Sequence, residues 1–355
     1  LKALPQEPVW QHALERVKRH FEGPPPPEPQ NPQAVYEEYL QYVQPHLLGT
    51  SHPRFWGWIA GSGTVMGAYA ELLASALNSV SGAFSFMSAN YVEMQVLNWF
   101  KEMLGFPETA GGQLTGGCSA ANLIGLATAR NTRAGFDVRG AGLHTAPQPL
   151  TLYASTEAHS SIQKAVELLG MGSEALRRVP VNEALQMDLD ALRGMITADR
   201  QNGRLPLCIV GVAGTTVTGA IDPLNELADI CQEEDIWLHV DGAFGAWAAI
   251  APASQQLVRG MERADSLAFD LHKWMYLPYA IGCVLIKREE DQRRAFSLTP
   301  SYLAHGEGDR GLTAVDVPWL VDYGFDLSRD FKALKAVSYT HLTLPTICFK
   351  WWGGG

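Results

Sequence analysis

A lysine within an apolar stretch is the residue whose chemistry the sequence indicates most directly. Lys273 follows Ser266-Leu-Ala-Phe-Asp270-Leu-His272, so an acid and a histidine lie just before it. Burial disfavours the charged form of an amine, which lowers the pKa of a lysine and frees the lone pair that a Schiff base requires. A single lysine would by default extend its charged end to solvent. The adjacent His272 and the nearby acid favour a reactive amine instead.

Two further segments carry polar groups, one at the end of a predicted strand and one at the start of a predicted helix. Asp241 ends the apolar run Trp237-Leu-His-Val-Asp, and small residues follow it, which lets a flat ligand approach the backbone. Alone, such an acid is more often a helix cap or a turn former. The turn Thr115-Gly-Gly-Cys-Ser119 opens a helical pattern, and the N–H groups at a helix start bind anions. Many Gly-Gly turns, however, only cap helices.

One ligand would use an amine, an acid and an anion-binding turn together. Pyridoxal phosphate offers an aldehyde to a lysine, a ring nitrogen to an acid and a phosphate to a helix start. Asp241 would keep the ring nitrogen protonated, and His159, which follows another strand pattern, would stack on the ring. The turn is neither G-x-G-x-x-G nor followed by Gly-Lys-Ser/Thr, which disfavours nicotinamide and nucleoside triphosphate ligands.

A zinc site is the alternative interpretation of the same polar residues. It would use His159, His239, Asp241 and His272, but their spacing matches no metal-binding motif. We therefore predict no metal.

Short apolar strands that alternate with helices must position these residues. Such alternation predicts a mostly parallel sheet with helices on both faces, in which ligands lie beyond the C-terminal ends of the strands. The predicted strands span 150–154, 205–212, 236–240, 266–269 and 282–286. The predicted helices span 92–104, the glycine turn to about 133, 160–169, 188–200, and a segment from an Asp222 cap and Pro223 to 234.

Composition narrows the class of protein. The 355 residues include 37 acidic and 27 basic side chains, a formal net charge of −10, which disfavours nucleic-acid and anionic-membrane partners. No apolar run approaches the roughly 20 residues of a membrane-spanning helix. The five cysteines are scattered and lack a Cys-x-x-Cys pair, so we predict neither disulfides nor structural zinc and expect a cytoplasmic protein.

The two ends of the chain differ from its middle. Helical patterns at 8–21 and 33–43 flank the proline-rich connector 24–29, so residues 1–50 are predicted to form an N-terminal helical segment. Residues 51–336 would form the cofactor-binding domain. Helical periodicity stops at Val337, and we expect 337–355 to be a non-native tail translated from foreign sequence. A natural strand followed by a flexible tail is the alternative.

Six motifs in a characteristic order and spacing resemble a known family. They are Thr115-Gly-Gly-Cys-Ser-Ala-Ala-Asn, Ala158-His159-Ser-Ser, Gly214-Thr-Thr, His239-Val-Asp241-Gly-Ala, His272-Lys273-Trp and Leu298-Thr-Pro-Ser-Tyr302-Leu. From about residue 52 to 335 the chain resembles the group II pyridoxal-phosphate-dependent amino acid decarboxylases, which include aromatic-L-amino-acid and glutamate decarboxylases. The resemblance implies an α/β fold-type-I (aspartate aminotransferase-like) large domain with a mostly parallel seven-stranded sheet, and a homodimer with active sites at the subunit interface. We expect the family's C-terminal small domain to be missing.

The resemblance also implies a role for each motif. Lys273 would form the internal aldimine, Asp241 would pair with the pyridinium nitrogen, and His159 and Ala243 would pack on opposite faces of the ring. Tyr302 corresponds to a mobile-loop tyrosine that reprotonates the carbanion after carbon dioxide leaves. Gly117, Cys118 and Ser119 would hold the phosphate, with Asp270 and His272 nearby and Thr216 close to the ring.

The implied activity is that of a carboxy-lyase, which converts an L-amino acid to its amine and carbon dioxide. Where aromatic decarboxylases carry a Tyr-Phe-Pro-Thr-like segment, this chain has Trp58-Ile-Ala-Gly-Ser-Gly, so the substrate side chain stays open. Phe55, Trp56 and Trp58 favour a bulky or aromatic substrate, but packing explains them equally well. Asp270 replaces the asparagine common in aromatic members. Aminotransferase or lyase chemistry, or an inactive homologue that only binds cofactor or dimerises, are the alternatives.

Overall fold

The fold is described from a computed structural model, in which residues 4–82, 87–298 and 319–341 are placed. Their contacts divide the chain into two units, Leu1–Ser62 and Gly63–Gly355. Every candidate site residue within the described ranges belongs to the second unit.

The N-terminal unit contains short helices. Helix α1 spans Glu15–His20, fewer residues than the pattern predicted. Helix α2 spans Pro32–Glu38 and begins as a proline-initiated helix should, because the side chain of Asn31 accepts the backbone N–H of Gln33 at 2.8 Å. A π-helical turn, Tyr39–Val43, continues it.

The second unit is built on one seven-stranded sheet with the order β1-β7-β6-β5-β4-β2-β3. Strand β7 runs antiparallel to both neighbours, and the remaining pairs are parallel, which confirms the predicted mostly parallel α/β sheet. The strands are β1 Gly111–Thr115, β2 Leu150–Ser155, β3 Leu176–Val179, β4 Leu205–Val212, β5 Trp237–Asp241, β6 Ser266–Asp270 and β7 Gly282–Ile286.

Helices cover the two faces of this sheet and create two separate cores. Along β6 the alternation of side chains divides them, since Leu267 and Phe269 join one apolar cluster and Ala268 joins the other. The helices are α3 Val65–Leu77, α4 Ser88–Leu104, α5 Cys118–Arg133, α6 Val138–Ala141, α7 Ser160–Leu168, α8 Leu189–Gln201, α9 Leu224–Glu234 and α10 Glu289–Phe296.

Two local features differ from the sequence predictions. Pro223, not Asp222, is the N-cap of α9. The Asp222 carboxylate instead accepts the backbone N–H groups of Met187 at 2.7 Å and Val212 at 2.8 Å. Its burial raises its pKa to about 6. At the other end, residues 333–341 are helical, so the helix continues past Val337, where the pattern predicted its end. Residues 342–355 lie outside the described part of the chain.

Candidate active site

The strand register brings the predicted site residues to one edge of the sheet. Asp241 and Asp270 are the last residues of the parallel strands β5 and β6. Gly282, at the start of β7, pairs with Asp270 on one side and with Thr115, the last residue of β1, on the other. The edge predicted to bind a ligand therefore carries both acids and the glycine turn.

The glycine turn forms a tight cradle at the start of α5. Gly117 is the N-cap residue and has a φ of 138°, a backbone conformation that glycine adopts without strain. A Cβ atom on Gly282 would lie 2.6 Å from the carbonyl carbon of Gly117, so only glycine at position 282 lets β7 pass this close to the turn. The backbone N–H of Cys118 donates to Asp270 Oδ1 at 2.7 Å.

Lys273 is held by a buried carboxylate. Its Nζ lies 3.0 Å from Oδ2 of Asp270, whose side chain is only 3% exposed. Burial acts to lower the pKa of Lys273, but the charge and hydrogen bond of Asp270, with smaller contributions from Cys118 and Asp241, raise it above its ordinary value. The expectation that burial would leave a neutral amine is therefore wrong for this arrangement, in which the ammonium is stabilised.

His272 adjoins the same carboxylate. Its Nδ1 lies 2.8 Å from the carbonyl oxygen of Ile281, 3.2 Å from the backbone nitrogen of the same residue and 3.7 Å from Asp270 Oδ1. Burial lowers the pKa of His272, although the charge of Asp270 opposes this effect. At neutral pH the imidazole is therefore uncharged, and Lys273 supplies the positive charge that balances Asp270.

Asp241 is a buried carboxylate with several donors. Oδ1 accepts the backbone N–H of Ala243 at 3.1 Å, and Oδ2 accepts Nδ2 of Asn122 at 3.0 Å. The thiol of Cys118 lies 3.6 Å from Oδ1, and its pKa is raised well above the ordinary value by burial and then by Asp241. Cys118 thus joins the two acids, because its N–H binds Asp270 and its thiol contacts Asp241.

His159 lies exposed at the start of α7 and is connected to the same network. Its Nδ1 accepts the backbone N–H of Ser161 at 3.2 Å and lies 2.9 Å from Ser161 Oγ. That hydroxyl also accepts Nδ2 of Asn122 at 3.2 Å. Sequence reasoning missed Asn122, although its position one helical turn after Cys118 places it on the same face of α5.

The remaining predicted residues vary in placement. Ala243 is half-buried directly after Asp241, and Ser119 is exposed in the first turn of α5. Thr216 lies exposed in the turn after β4, where the neighbouring Thr215 is the buried hydroxyl. Tyr302 lies outside the described residues.

Comparison with known proteins identifies the family. The profile of the pyridoxal-dependent decarboxylase conserved domain matches residues 15–342. The chain belongs to the pyridoxal-dependent decarboxylase family. This confirms the resemblance inferred from the motifs, and pyridoxal phosphate is the cofactor after which the family is named.

Members of this family that resemble the chain come from bacteria, animals and plants. The aromatic-L-amino-acid decarboxylase of Bacillus atrophaeus is 35% identical over 307 residues, which are 84% of this chain and 61% of that protein. The Bos taurus enzyme of the same name is 30% identical over 323 residues, 87% of this chain and 65% of its own length. The chain thus spans less than two thirds of these curated relatives.

Solved structures of the family share the fold. Oryza sativa TDC with PLP and tryptamine superposes with a TM-score of 0.86 at 25% identity, over 96% of this chain and 70% of that one. Mouse CSAD gives a TM-score of 0.85 at 25% identity, over 95% of this chain and 69% of that one. The fold described above is therefore shared with these solved structures.

The residues present fit this cofactor. An amine, a buried carboxylate and the start of a 16-residue helix meet at one edge of the sheet, and a Cβ on Gly116 would meet no atom within 4 Å, so the turn opens outward. Within residues 4–82, 87–298 and 319–341, no group of three His, Cys, Asp or Glu side chains could hold a metal ion. Among the same residues, no helix is long and apolar enough to cross a membrane.

A surface cavity of about 330 Å³ lies elsewhere in the second unit. Arg133, Asp235, Arg263, Asp265 and Lys287 are among the residues that line it, and it includes none of the predicted site residues.

Proposed function

We propose that the protein decarboxylates an L-amino acid to the corresponding amine and carbon dioxide with pyridoxal phosphate as cofactor. One observation carries the proposal: Lys273, Asp270, Cys118 and Asp241 form one continuous network of contacts at the helix start. The family match covers all four. An aminotransferase or another lyase would use the same residues, so the products must be measured.

The proposed roles are those that the motifs imply, and the contacts of Lys273 and Asp241 support them. Lys273 holds the cofactor through its amine, and the start of α5 at Gly117–Ser119 holds the phosphate. Asp241 would pair with the ring nitrogen and hold a proton on it, because a buried carboxylate strongly favours a nearby positive charge. His159 and Ala243 would bound the ring from its two sides, and Thr216 and His272 would lie at its periphery.

When bound, pyridoxal phosphate supplies an electron-accepting ring that stabilises the electron pair left when carbon dioxide departs. The protein must orient the substrate so that its carboxylate stands perpendicular to that ring. Asp241 and the helix start are fixed by buried hydrogen bonds before the substrate arrives, so little reorganisation is needed. Tyr302 is proposed to return a proton to the substrate carbon.

The proposed substrate is an aromatic or bulky L-amino acid. Support comes from relatives named aromatic-L-amino-acid decarboxylase and from a relative in Papaver somniferum named tyrosine/DOPA decarboxylase 2, which is 30% identical. Trp56 is 91% and Trp58 is 82% exposed, so burial within their own unit does not account for them.

The proposed partner is a second copy of the chain. Helix α3 has apolar side chains all round it, and most of them face solvent. The exposed ones are Val65, Met66, Tyr69, Leu72, Leu73 and Leu77. A soluble protein rarely leaves such a surface uncovered.

The acidic composition and the unpaired thiols of Cys118, Cys208, Cys231 and Cys283 support a cytoplasmic location.

A single preparation tests the assignment of the lysine. Purified protein incubated with pyridoxal phosphate and then reduced with borohydride should gain the mass of one reduced cofactor, and peptide mapping should place it on Lys273. Lys273→Ala should lose both the added mass and the visible absorbance. Added mass on another lysine would contradict the assignment.

The reaction is tested by the products. Each of the twenty amino acids is incubated with the loaded protein, and carbon dioxide and keto acid are measured separately. We expect carbon dioxide with an aromatic amino acid. Keto acid without carbon dioxide would indicate an aminotransferase, and cofactor absorbance with no turnover would indicate an inactive homologue.

A further inference from the structure

A chain of buried polar side chains crosses the core behind Asp241. Trp237 Nε1 donates to Ser266 Oγ at 2.8 Å, and that hydroxyl lies 2.7 Å from His239 Nδ1. His239 Nε2 lies 2.9 Å from Asn122 Oδ1, and Asn122 Nδ2 donates to Asp241 Oδ2. None of the five side chains is more than 3% exposed. Polar groups buried so deeply are costly unless each bond is made.

The hydrogen bonds of this buried network run in one consistent direction. Asn122 Oδ1 can only accept, so His239 must carry its proton on Nε2. Burial lowers the pKa of His239 to about 4, so the ring is neutral and its Nδ1 accepts the hydroxyl proton of Ser266. The Asp241 carboxylate can only accept, so it requires the NH₂ side of the Asn122 amide, and the protonated Nε2 of His239 is the matching donor for the amide oxygen. The amide turns its NH₂ group, not its oxygen, toward the carboxylate.

The sequence leaves room for this imidazole. Gly125 lies on α5 one turn after Asn122, and a Cβ there would come within 2.6 Å of Cε1 and 2.7 Å of Nδ1 of His239. A glycine inside a helix costs roughly 1 kcal/mol relative to alanine. Its presence opposite the ring is a second observation, independent of the hydrogen bonds, that points to a required position for His239.

The same amide reaches the other side of the candidate site. The second proton of Asn122 Nδ2 goes to Ser161 Oγ, whose own proton can then only go to Nδ1 of His159. The backbone N–H of Ser161 also donates to that nitrogen. Nδ1 of His159 therefore acts as an acceptor in both contacts with Ser161, and one amide group orients both the acid and the exposed imidazole.

We propose that Asn122 and His239 are positioning residues for the cofactor, which hold the Asp241 carboxylate and the His159 ring in one fixed arrangement. This inference rests on the proposed function, since it assigns Asp241 and His159 to the cofactor ring. As proposed, each of the two acts through the groups that it binds and not by contact with the cofactor. Asn122 acts through its two N–H groups, and His239 acts by keeping the amide from turning over.

Four variants test the inference. Asn122→Leu removes both N–H donors with little change in volume. His239→Leu removes the donor that fixes the amide, whereas His239→Gln keeps an N–H near the position of Nε2. Thr128→Val is the matched control, because it deletes a buried hydrogen bond on the same helix, from Thr128 Oγ1 to the carbonyl of Ile124 at 2.9 Å, outside the network.

Each variant is compared with the wild type in three measurements: the dissociation constant for pyridoxal phosphate by absorbance titration, the spectrum of the bound cofactor, and the thermal unfolding temperature. Loss of a hydrogen bond to a buried charged group should weaken cofactor binding by about tenfold or more in Asn122→Leu and His239→Leu. Both should also shift the absorbance band, because the ring nitrogen then meets a displaced carboxylate. His239→Gln should recover affinity and spectrum, and Thr128→Val should change only the unfolding temperature.

The outcomes separate this inference from the proposed function. If the wild type binds no pyridoxal phosphate, the proposed function fails. If the wild type binds it and Asn122→Leu matches Thr128→Val in affinity and spectrum, the positioning role is refuted. Equal loss of affinity in His239→Gln and His239→Leu would also refute it, because the N–H at that position would then not matter.

Discussion

Replacement of Asp270 by asparagine should accelerate the capture of pyridoxal phosphate near neutral pH. The carboxylate lies 3.0 Å from the Lys273 ammonium and is 3% exposed, so water screens the pair poorly. Only a neutral amine attacks an aldehyde. Removal of an opposite charge this close should increase the neutral fraction by about tenfold or more, and the rate of capture should follow.

The carboxylate also opposes the phosphate. It accepts the Cys118 N–H, a donor at the start of α5 that the phosphate would otherwise use, and it places a negative charge beside that anion. Asparagine keeps an oxygen to accept this N–H but carries no charge. The equilibrium affinity for the cofactor should therefore rise together with the rate.

Stopped-flow absorbance measures the rate after cofactor-free protein is mixed with pyridoxal phosphate, between about pH 7 and pH 9. Because the pKa of Lys273 is raised, the rate of capture by the wild type should increase with pH. The rate of capture by Asp270→Asn should show the same increase at lower pH. Asp265→Asn is the control, since that acid is half-buried and accepts the backbone N–H of Leu238, away from the site. A rate for Asp270→Asn no higher than that of the wild type would refute the reasoning.

Three other changes have defined outcomes. Gly282→Ala should weaken cofactor affinity in an absorbance titration, because the new methyl group meets the backbone of Gly117 at 2.6 Å. Arg329→Ala should lower the free energy of unfolding, measured with urea, by about 3–5 kcal/mol, since it leaves the buried carboxylate of Glu93 without its cation; unchanged stability would contradict a buried pair. In aerated buffer, where dioxygen is the oxidant and is reduced to hydrogen peroxide, Tyr302→Phe should keep the cofactor absorbance but shift the products, separated by chromatography, from amine toward aldehyde and ammonia. Amine as the sole product would show that another group returns the proton.

Five of the seven strands were predicted from the sequence, and each of the five is buried along all or nearly all of its length. Strands β4 and β7 have the predicted bounds, because unbroken apolar runs are typical of strands that are covered on both faces of the sheet. Strand β1 was missed, since Gly-Gly-Gln-Leu-Thr has one apolar side chain and is held mainly by backbone pairing with β7. Helix α3 was missed because its apolar residues surround it and define no single face.

The candidate site was predictable in its residue types but not in its charges. Strand ends pointed to Asp241 and Asp270, and the apolar context pointed to Lys273. The direction of the lysine pKa depends on a 3.0 Å contact with Asp270, which spacing alone does not establish. Asn122 and His239 were not predicted as a pair, because only the packing of α5 against β5 brings them within 2.9 Å.

The position of β7 has a consequence for the order of assembly. Its first residue, Gly282, pairs with Thr115 on one side and with Asp270 on the other. The glycine turn therefore lacks this neighbour until β7, which is synthesised much later, has been inserted between β1 and β6. Such pairing between distant parts of a chain is slow to form. A nascent polypeptide that ends before residue 282 should therefore be unable to bind pyridoxal phosphate stably. Binding of the cofactor would then report that β7 has been inserted into the sheet.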